Sequence, residues 1–166
     1  MSETKIAWGI TGAGDKILEI KEIFEDLNNK ENLEFHAFVS KAGKKVLEMY
    51  QIKEDLEDSF EKFSIEKGSN TPFLAGSLQT GEYDGLIIAP TSSNSIAKIS
   101  NGIGDTLLTN SAIMAIKALK PVFILPTDYK SGTHKTDLPN GDTIKVRVRK
   151  EDVNNVEKLR EMNDIQ

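Results

Sequence analysis

Four apolar runs of strand length punctuate the chain, each ending in small polar residues: Lys5–Ile10 (KIAWGI), Glu34–Val39 (EFHAFV), Tyr83–Ala89 (YDGLIIA) and Pro121–Leu125 (PVFIL). Helix-length segments separate them. The first follows the turn Thr11-Gly12-Ala13-Gly14 and spans Asp15 to Asn28, with Ile17, Ile20, Phe24 and Leu27 on one face at helical spacing. Lys41–Tyr50 reads as a second helix, 51–70 as polar helix and loop, and Thr71–Gln79, opening at Pro72, as a short helix. Residues 93–100 and 103–119 read as two more helices. Strands alternating with helices imply a parallel sheet. Near-continuous apolar strands imply cover on both faces, and PVFIL reads as buried like the others. The expected class is α/β: a three-layer, Rossmann-like or flavodoxin-like parallel sheet with helices on both faces. The tail differs. Pro139-Asn140-Gly141-Asp142 is a turn signal, Thr143–Val148 alternates apolar and cationic residues, and Glu151–Met162 reads as a final helix. No repeat or linker divides the chain, so a single domain is expected over 1–166. Its core is 5–128, and 129–166 forms a C-terminal loop, edge strand and helix.

Composition removes several classes of function. The net charge of −5 makes non-specific nucleic-acid binding a poor default. The lack of cysteine removes disulfides, thiolate nucleophiles, Cys-ligated zinc and an iron–sulfur cluster held by this chain. The two histidines leave little for a histidine-based metal site. His36 reads as a structural residue within a strand, and His134 as an exposed loop residue. No apolar segment approaches the roughly 20 residues of a membrane span, and the N-terminus lacks a secretory pattern. A soluble cytoplasmic protein with neither membrane nor nucleic acid as partner is expected.

In an open parallel sheet, ligands bind at the carboxyl ends of the strands. Four such ends carry small side chains, hydroxyls or free amides: Thr11-Gly12-Ala13-Gly14, Ser40, Thr91-Ser92-Ser93-Asn94-Ser95 and Thr127-Asp128. None supplies a lysine or arginine at the tip. Backbone N–H groups, hydroxyls and helix dipoles hold a phosphate without one. The glycine turn alone is a weak signal. Gly9, Gly12 and Gly14 do not form G-x-G-x-x-G, which disfavours a dinucleotide, and a tight strand-to-helix turn needs glycine anyway. The 91–95 run is more specific, because a helix N-cap accounts for one of its residues, not five. Asp105 and Thr109 add polar groups to the apolar 103–119 segment, as site residues or as a solvated face. Trp8, in the first strand, suits a core or subunit contact. Residues 130–150 carry a net +4, leaving −9 for the rest of the chain. That segment is either a solvated edge strand protected by charge or a docking patch for an acidic partner.

The run A-P-T-S-S-N-S-I-A-K-I-x-N-G-I-x-D-x-L-L-T, from Ala89 to Thr109, resembles A-P-x-S-A-N-T-x-A-K-x-x-x-G-x-x-D-N-L-L-T of the homo-oligomeric flavin-containing decarboxylase superfamily. The T-G-x-G turn, V-S-K-A after the second strand and P-V-F-I-L-P extend the resemblance over most of residues 5–128. The W-G-I-T-G-A-G opening and the G-I-G-D-T-L-L-T-N-S run look most like the archaeoflavoproteins and acceptor-type dihydromethanopterin reductases of that group. The resemblance implies FMN. It puts Gly12, Ala13 and Gly14 on the phosphate side and Ser40 after the second strand. Ser92, Ser93, Asn94 and Ser95 would wrap phosphate and ribityl chain, and Thr127 would lie near the isoalloxazine. It also implies trimers, with the flavin shared between subunits.

Departures from the superfamily bear on activity. Its cysteine decarboxylases carry a catalytic histidine before the third strand, a position that falls here at Gly76. Its flavin prenyltransferases usually have arginine after the last strand's proline, where this chain has Thr127. Longer acceptor-type reductases carry cysteine-rich iron–sulfur modules, for which this chain has no cysteine. The implied function is an FMN flavoprotein, an oxidoreductase or electron-transfer protein, moving electrons from a ferredoxin-like donor to an acceptor. The alternatives are a dihydromethanopterin (pterin) reductase, a phosphopantothenoylcysteine-type decarboxylase with an altered base, and a passive flavin-binding protein.

Overall fold

The apolar runs form the parallel sheet that their lack of alternation requires. A computed structural model describes residues 3–166. Strands β1 (Thr4–Ile10), β2 (Leu33–Val39), β3 (Phe63–Ile65), β4 (Gly85–Thr91) and β5 (Val122–Pro126) lie in the order β3-β2-β1-β4-β5. Strand β1 pairs with β2 from Thr4↔Leu33 to Ile10↔Val39, and on its other side with β4 from Ile6↔Gly85 to Gly9↔Ile88. This is the Rossmann-like order, and the direction of winding reverses between β1 and β4.

Helices α1 (Ile17–Asn28), α2 (Lys41–Met49) and α3 (Lys53–Ser59) cover one face. Their Ile17, Ile20, Phe24, Leu47 and Leu56 pack on Trp8, Ile10, Phe35, Ala37 and Val39. Trp8 is fully buried and stacks on Phe24, ring centroids 4.0 Å apart. Helices α4 (Leu74–Thr80), α5 (Ser93–Ser100), α6 (Leu107–Lys117) and α7 (Lys150–Arg160) cover the other face, against Ala7, Phe38, Leu86 and Ile88. Each such buried aliphatic or aromatic side chain contributes roughly 1.5–3 kcal/mol, so the two faces hold the sheet rigid beneath its loops.

Several expectations are corrected. Strand β3 lies in the stretch read as helix and loop; its three residues are too few to show a period. The 103–119 helix begins only at Leu107, because Thr106 and Thr109 form a reciprocal capping box. Thr109 is therefore a buried cap partner, and Asp105 is an exposed loop residue paired with Lys98 at 2.9 Å. PVFIL is half-buried. As the last strand of the sheet it extends past the cover of α1, leaving Phe123 and Leu125 exposed. The C-terminal strand is not an edge of the main sheet. It is β7 (Thr143–Val148), paired antiparallel with β6 (Gly132–Asp137) in a separate ribbon, so His134 lies on a strand rather than in a loop. The edge of β5 is met instead by the last residues, through Ile124 N–H to the Gln166 carbonyl at 2.8 Å and Gln166 N–H to the Val122 carbonyl at 3.0 Å.

Candidate functional site

The reversal between β1 and β4 opens a crevice, and the end of β4 explains its shape. Pro90 has no N–H, and the pairing register with β5 shifts between Ile88 and Thr91. Three successive carbonyls are then satisfied by side chains. Thr91 Oγ1 donates to the Ile88 carbonyl at 2.6 Å, Trp8 Nε1 to the Ala89 carbonyl at 2.7 Å, and Thr11 Oγ1 to the Pro90 carbonyl at 2.7 Å. Thr11 Oγ1 also accepts from Ser92 N–H at 2.9 Å. Thr11 is thus a buried staple between the first turn and the 92–95 run. The Thr91 carbonyl accepts from Thr127 N–H at 3.2 Å and Thr127 Oγ1 at 3.3 Å, which ties the end of β5 to the same point.

Helix N-termini converge here, and two of them are closed. The Glu66 carboxylate, buried just beyond β3, accepts from Lys41 N–H at the start of α2 and from Leu107 N–H at the start of α6, both at 2.9 Å. Two others are open. Helix α5 has Ser92 as its N-cap and no acidic residue in its first turn. Helix α1 has no side-chain cap and the exposed Glu19 in its first turn; its N-cap residue Lys16 adopts φ 56° and lines the adjoining cleft. The open pair follows β4 and β1, the two strands that flank the crevice.

The nine residues singled out from the sequence divide by role. Gly12 lets the turn lie on α2, since a Cβ there would stand 2.6 Å from the Ala42 methyl. Ser40 caps α2, its hydroxyl accepting from Gly43 N–H at 2.9 Å. Ser92 caps α5 and lies 3.2 Å from the Ser95 hydroxyl. Ser93, half-buried, and Asn94, exposed, make no side-chain hydrogen bond among the described residues, which leaves both polar groups uncommitted. Ala13, Gly14 and Thr127 line a cleft of about 800 Å³ between the first turn, the end of β5 and the β6–β7 ribbon. Gly12, Ser40 and Ser92–Ser95 do not line it. Thr91 is fully buried and spends its hydroxyl on the backbone, unlike the residues that follow.

Glu66, the staple role of Thr11 and that of Trp8 escaped the sequence reading. Pro90 inside an apolar strand was the one local sign, since proline in a central strand marks an irregularity. Nothing local marks Glu66, whose partners lie 25 and 41 residues away.

At the amino ends of β1 and β2, Glu34, His36 and Glu61 bring ligand-type atoms within 4.8 Å of one another. Glu34 and His36 are held there in a hydrogen-bonded network. His36 Nε2 meets Glu34, Nδ1 lies 2.8 Å from the Tyr83 hydroxyl, and Lys5 Nζ sits 3.1 Å from Glu34. Burial pushes the His36 pKa below its ordinary value, which favours the neutral ring. Burial also pushes the Tyr83 phenol up. His36 is structural, as its place in the strand suggested.

The profile of the Flavoprotein family matches residues 1–165. An uncharacterized protein of Methanocaldococcus jannaschii is 48% identical over 98% of this chain and 87% of its own length. A dihydromethanopterin reductase (acceptor) of Methanosarcina mazei is 35% identical over 84% of this chain, and a second, from M. jannaschii, is 34% identical over 81%. The chain spans 61% and 58% of the length of these two reductases. The crystal structure of Burkholderia xenovorans DmrB in complex with FMN, a cubic protein cage for redox transfer, superposes with a TM-score of 0.82 and 29% identity. The match covers 99% of this chain and 87% of DmrB.

Proposed function

The chain belongs to the Flavoprotein family, and from that premise we propose that it binds FMN and carries electrons from a ferredoxin-like donor to an organic acceptor. The observation that carries this reading is the crevice between β1 and β4. It pairs two uncapped or hydroxyl-capped helix N-termini with the uncommitted side chains of Ser93 and Asn94. Such a surface suits a phosphate and a polyol chain held by N–H donors, hydroxyls and dipoles. Bound flavin would supply the redox chemistry. The Gly12–Gly14 turn and Ser92–Ser95 would hold its phosphate and ribityl chain, with Ser40 close by and Thr127 toward the ring. Thr11 keeps the two halves of the cradle in register.

The lack of a histidine at Gly76, the position that aligns with the superfamily's catalytic one, argues against decarboxylation. The exposed Phe73 ring lies beside Gly76, where a Cβ would stand 1.9 Å from it. A second reading, an acceptor-type pterin reductase, is supported by the 35% and 34% identities. The cleft of about 800 Å³ beside Gly14 and Thr127 also has room for an organic acceptor. Exposed Phe123 and Leu125 suit self-association, which the resemblance implies is trimeric and which sedimentation would read. The test of the cradle is FMN titration of Asn94→Asp. A carboxylate facing the phosphate should weaken binding about tenfold or more. An unchanged dissociation constant would overturn the assignment. Reoxidation of the reduced protein by dihydromethanopterin would select the reductase reading over the carrier.

A further inference from the structure

The β6–β7 ribbon has two chemically distinct faces, and its register shows which residues share each. Gly132↔Val148, His134↔Val146 and Thr136↔Ile144 lie on one face, and four of these residues line the cleft. Thr133↔Arg147, Lys135↔Lys145 and Asp137↔Thr143 lie on the other; of these only Lys135 also borders the cleft, while Lys145 and Arg147 lie clear of it. Lys135 and Lys145 are therefore directly opposed like charges, with Arg147 two residues along the same face. All three are exposed, and none forms an ion pair among the described residues. Asp137, on the same face, accepts from the Thr143 hydroxyl at 2.8 Å instead. Neighbouring Arg149 is different, since it is committed to Asp152 at 2.6 Å.

Directly opposed like charges destabilise a two-stranded ribbon. The arrangement is relieved by an anion laid across it. We propose that this outer face is the docking surface of the electron donor, a small acidic iron–sulfur protein. The proposal rests on the redox reading above and adds to it the place of contact. Three cations suit a compact acidic protein surface. An extended polyanion would also meet the rest of the chain, which carries −9 outside residues 130–150. The position suits electron delivery as well. The inner face of the same ribbon closes the cleft at Gly14 and Thr127, so a docked carrier stands about one ribbon's thickness from it, on the order of 10 Å. Each carrier gives one electron and is oxidised by one; two encounters, with two protons from solvent, complete a two-electron reduction.

The test uses an acidic [4Fe–4S] ferredoxin as probe. Its binding is measured on the flavin-free chain, and its reduction of the bound flavin by stopped flow on the FMN-loaded chain. Lys135→Glu replaces a like-charge pair with an opposite-charge one, so its melting temperature should equal or exceed that of the parent. Both its ferredoxin affinity and its reduction rate should fall about tenfold or more at low ionic strength. The parent's affinity should fall steeply between about 20 and about 300 mM salt, and that of Lys135→Glu should barely respond. Lys145→Glu should behave alike, and Arg149→Gln should retain the parent's affinity. A folded Lys135→Glu with unchanged affinity and rate would overturn the docking surface. So would tighter binding of single-stranded RNA than of ferredoxin at the same face. Failure to bind FMN, with ferredoxin binding intact and Lys135-dependent, would instead sink the redox reading and leave the contact standing.

Discussion

Thr11→Val isolates what shapes the crevice. Valine is nearly isosteric with threonine, so it opens no cavity; it removes only the hydroxyl. That hydroxyl donates to the Pro90 carbonyl at 2.7 Å and accepts from Ser92 N–H at 2.9 Å, at a residue that is 1% exposed. The Pro90 carbonyl keeps a weaker bond from Thr11 N–H at 3.3 Å, so its loss is partial. Ser92 N–H has no such reserve. A lost net hydrogen bond is worth about 1 kcal/mol, and a donor left unsatisfied away from water costs about 1–3 kcal/mol. A total near 2–3 kcal/mol is expected. For a chain of this size that lowers Tm by roughly 5–10 °C. Thr11→Ser keeps both bonds and loses one methyl group, worth about 1 kcal/mol. Ser93→Ala breaks no internal bond and should leave Tm unchanged while weakening FMN binding. The assay is thermal unfolding of the flavin-free proteins, followed by FMN titration. If Thr11→Val melts with the parent, the hydroxyl does not hold β1 to β4 and the staple is wrong. If Ser93→Ala lowers Tm as much as Thr11→Val, the division between scaffold and ligand groups fails.

Two further outcomes follow from buried charge. Glu66→Gln leaves one acceptor oxygen and one NH₂ where two backbone N–H groups arrive at 2.9 Å, so one of the two helix starts loses its partner. Urea unfolding should show a loss of roughly 2–3 kcal/mol, as for a charge-assisted bond, and a change within experimental error would refute the double cap. His36 has its pKa lowered in the folded state by burial, so the folded chain binds fewer protons than the unfolded one. Its contribution is then present above about pH 6.5, the unfolded value, and is lost as pH falls through the depressed folded value. For Glu34, burial opposes ionisation, but the hydrogen bonds from Lys5 and His36 win and hold its pKa below the ordinary carboxylate value, adding a second loss at lower pH. Unfolding at neutral and mildly acidic pH should show lower stability in acid. His36→Gln should shrink that difference, and a parent that gains stability in acid would contradict the sign.

How much of this was legible depends on the range of each signal. The long strands are near-continuous apolar runs and the amphipathic face of α1 repeats every 3.6 residues; both are local patterns, and they appear where the sequence placed them. Strand β3 has three residues, too few to show any period. The half-exposure of β5 follows from its position at the side of the sheet, a property of strand order rather than of PVFIL itself. The pairing of GTHKTD with TIKVRV was hidden because the first strand is polar throughout and reads as loop. At the site, the polar run after β4 was visible because its composition is unusual. Which of its members are spent on structure was not, because the choice depends on the backbone geometry of the turn: Thr91 bonds the Ile88 carbonyl, Ser92 caps α5, and the Ser92 N–H meets Thr11, 81 residues earlier in the chain.

The same contacts bear on where an anion can sit. A parallel α/β sheet aims the N-terminus of every crossover helix at the carboxyl ends of the strands, each with partial positive charge. Left open together, such termini would compete for an anion and spread it over the whole edge. Here a carboxylate from the chain itself occupies two of them, at α2 and α6. Of the termini without that carboxylate, α1 and α5 follow the two strands between which the winding reverses, and α4, uncapped like α1, follows β3. An anion is thereby favoured at the crevice over the α2 and α6 termini. Lys16 at the start of α1 and Lys130, Lys135 and Arg160 line the adjoining cleft, while Lys145 and Arg147 lie clear of it on the ribbon. Glu66, remote from the crevice in sequence, therefore helps specify where an anion can sit as well as holding two helices in place.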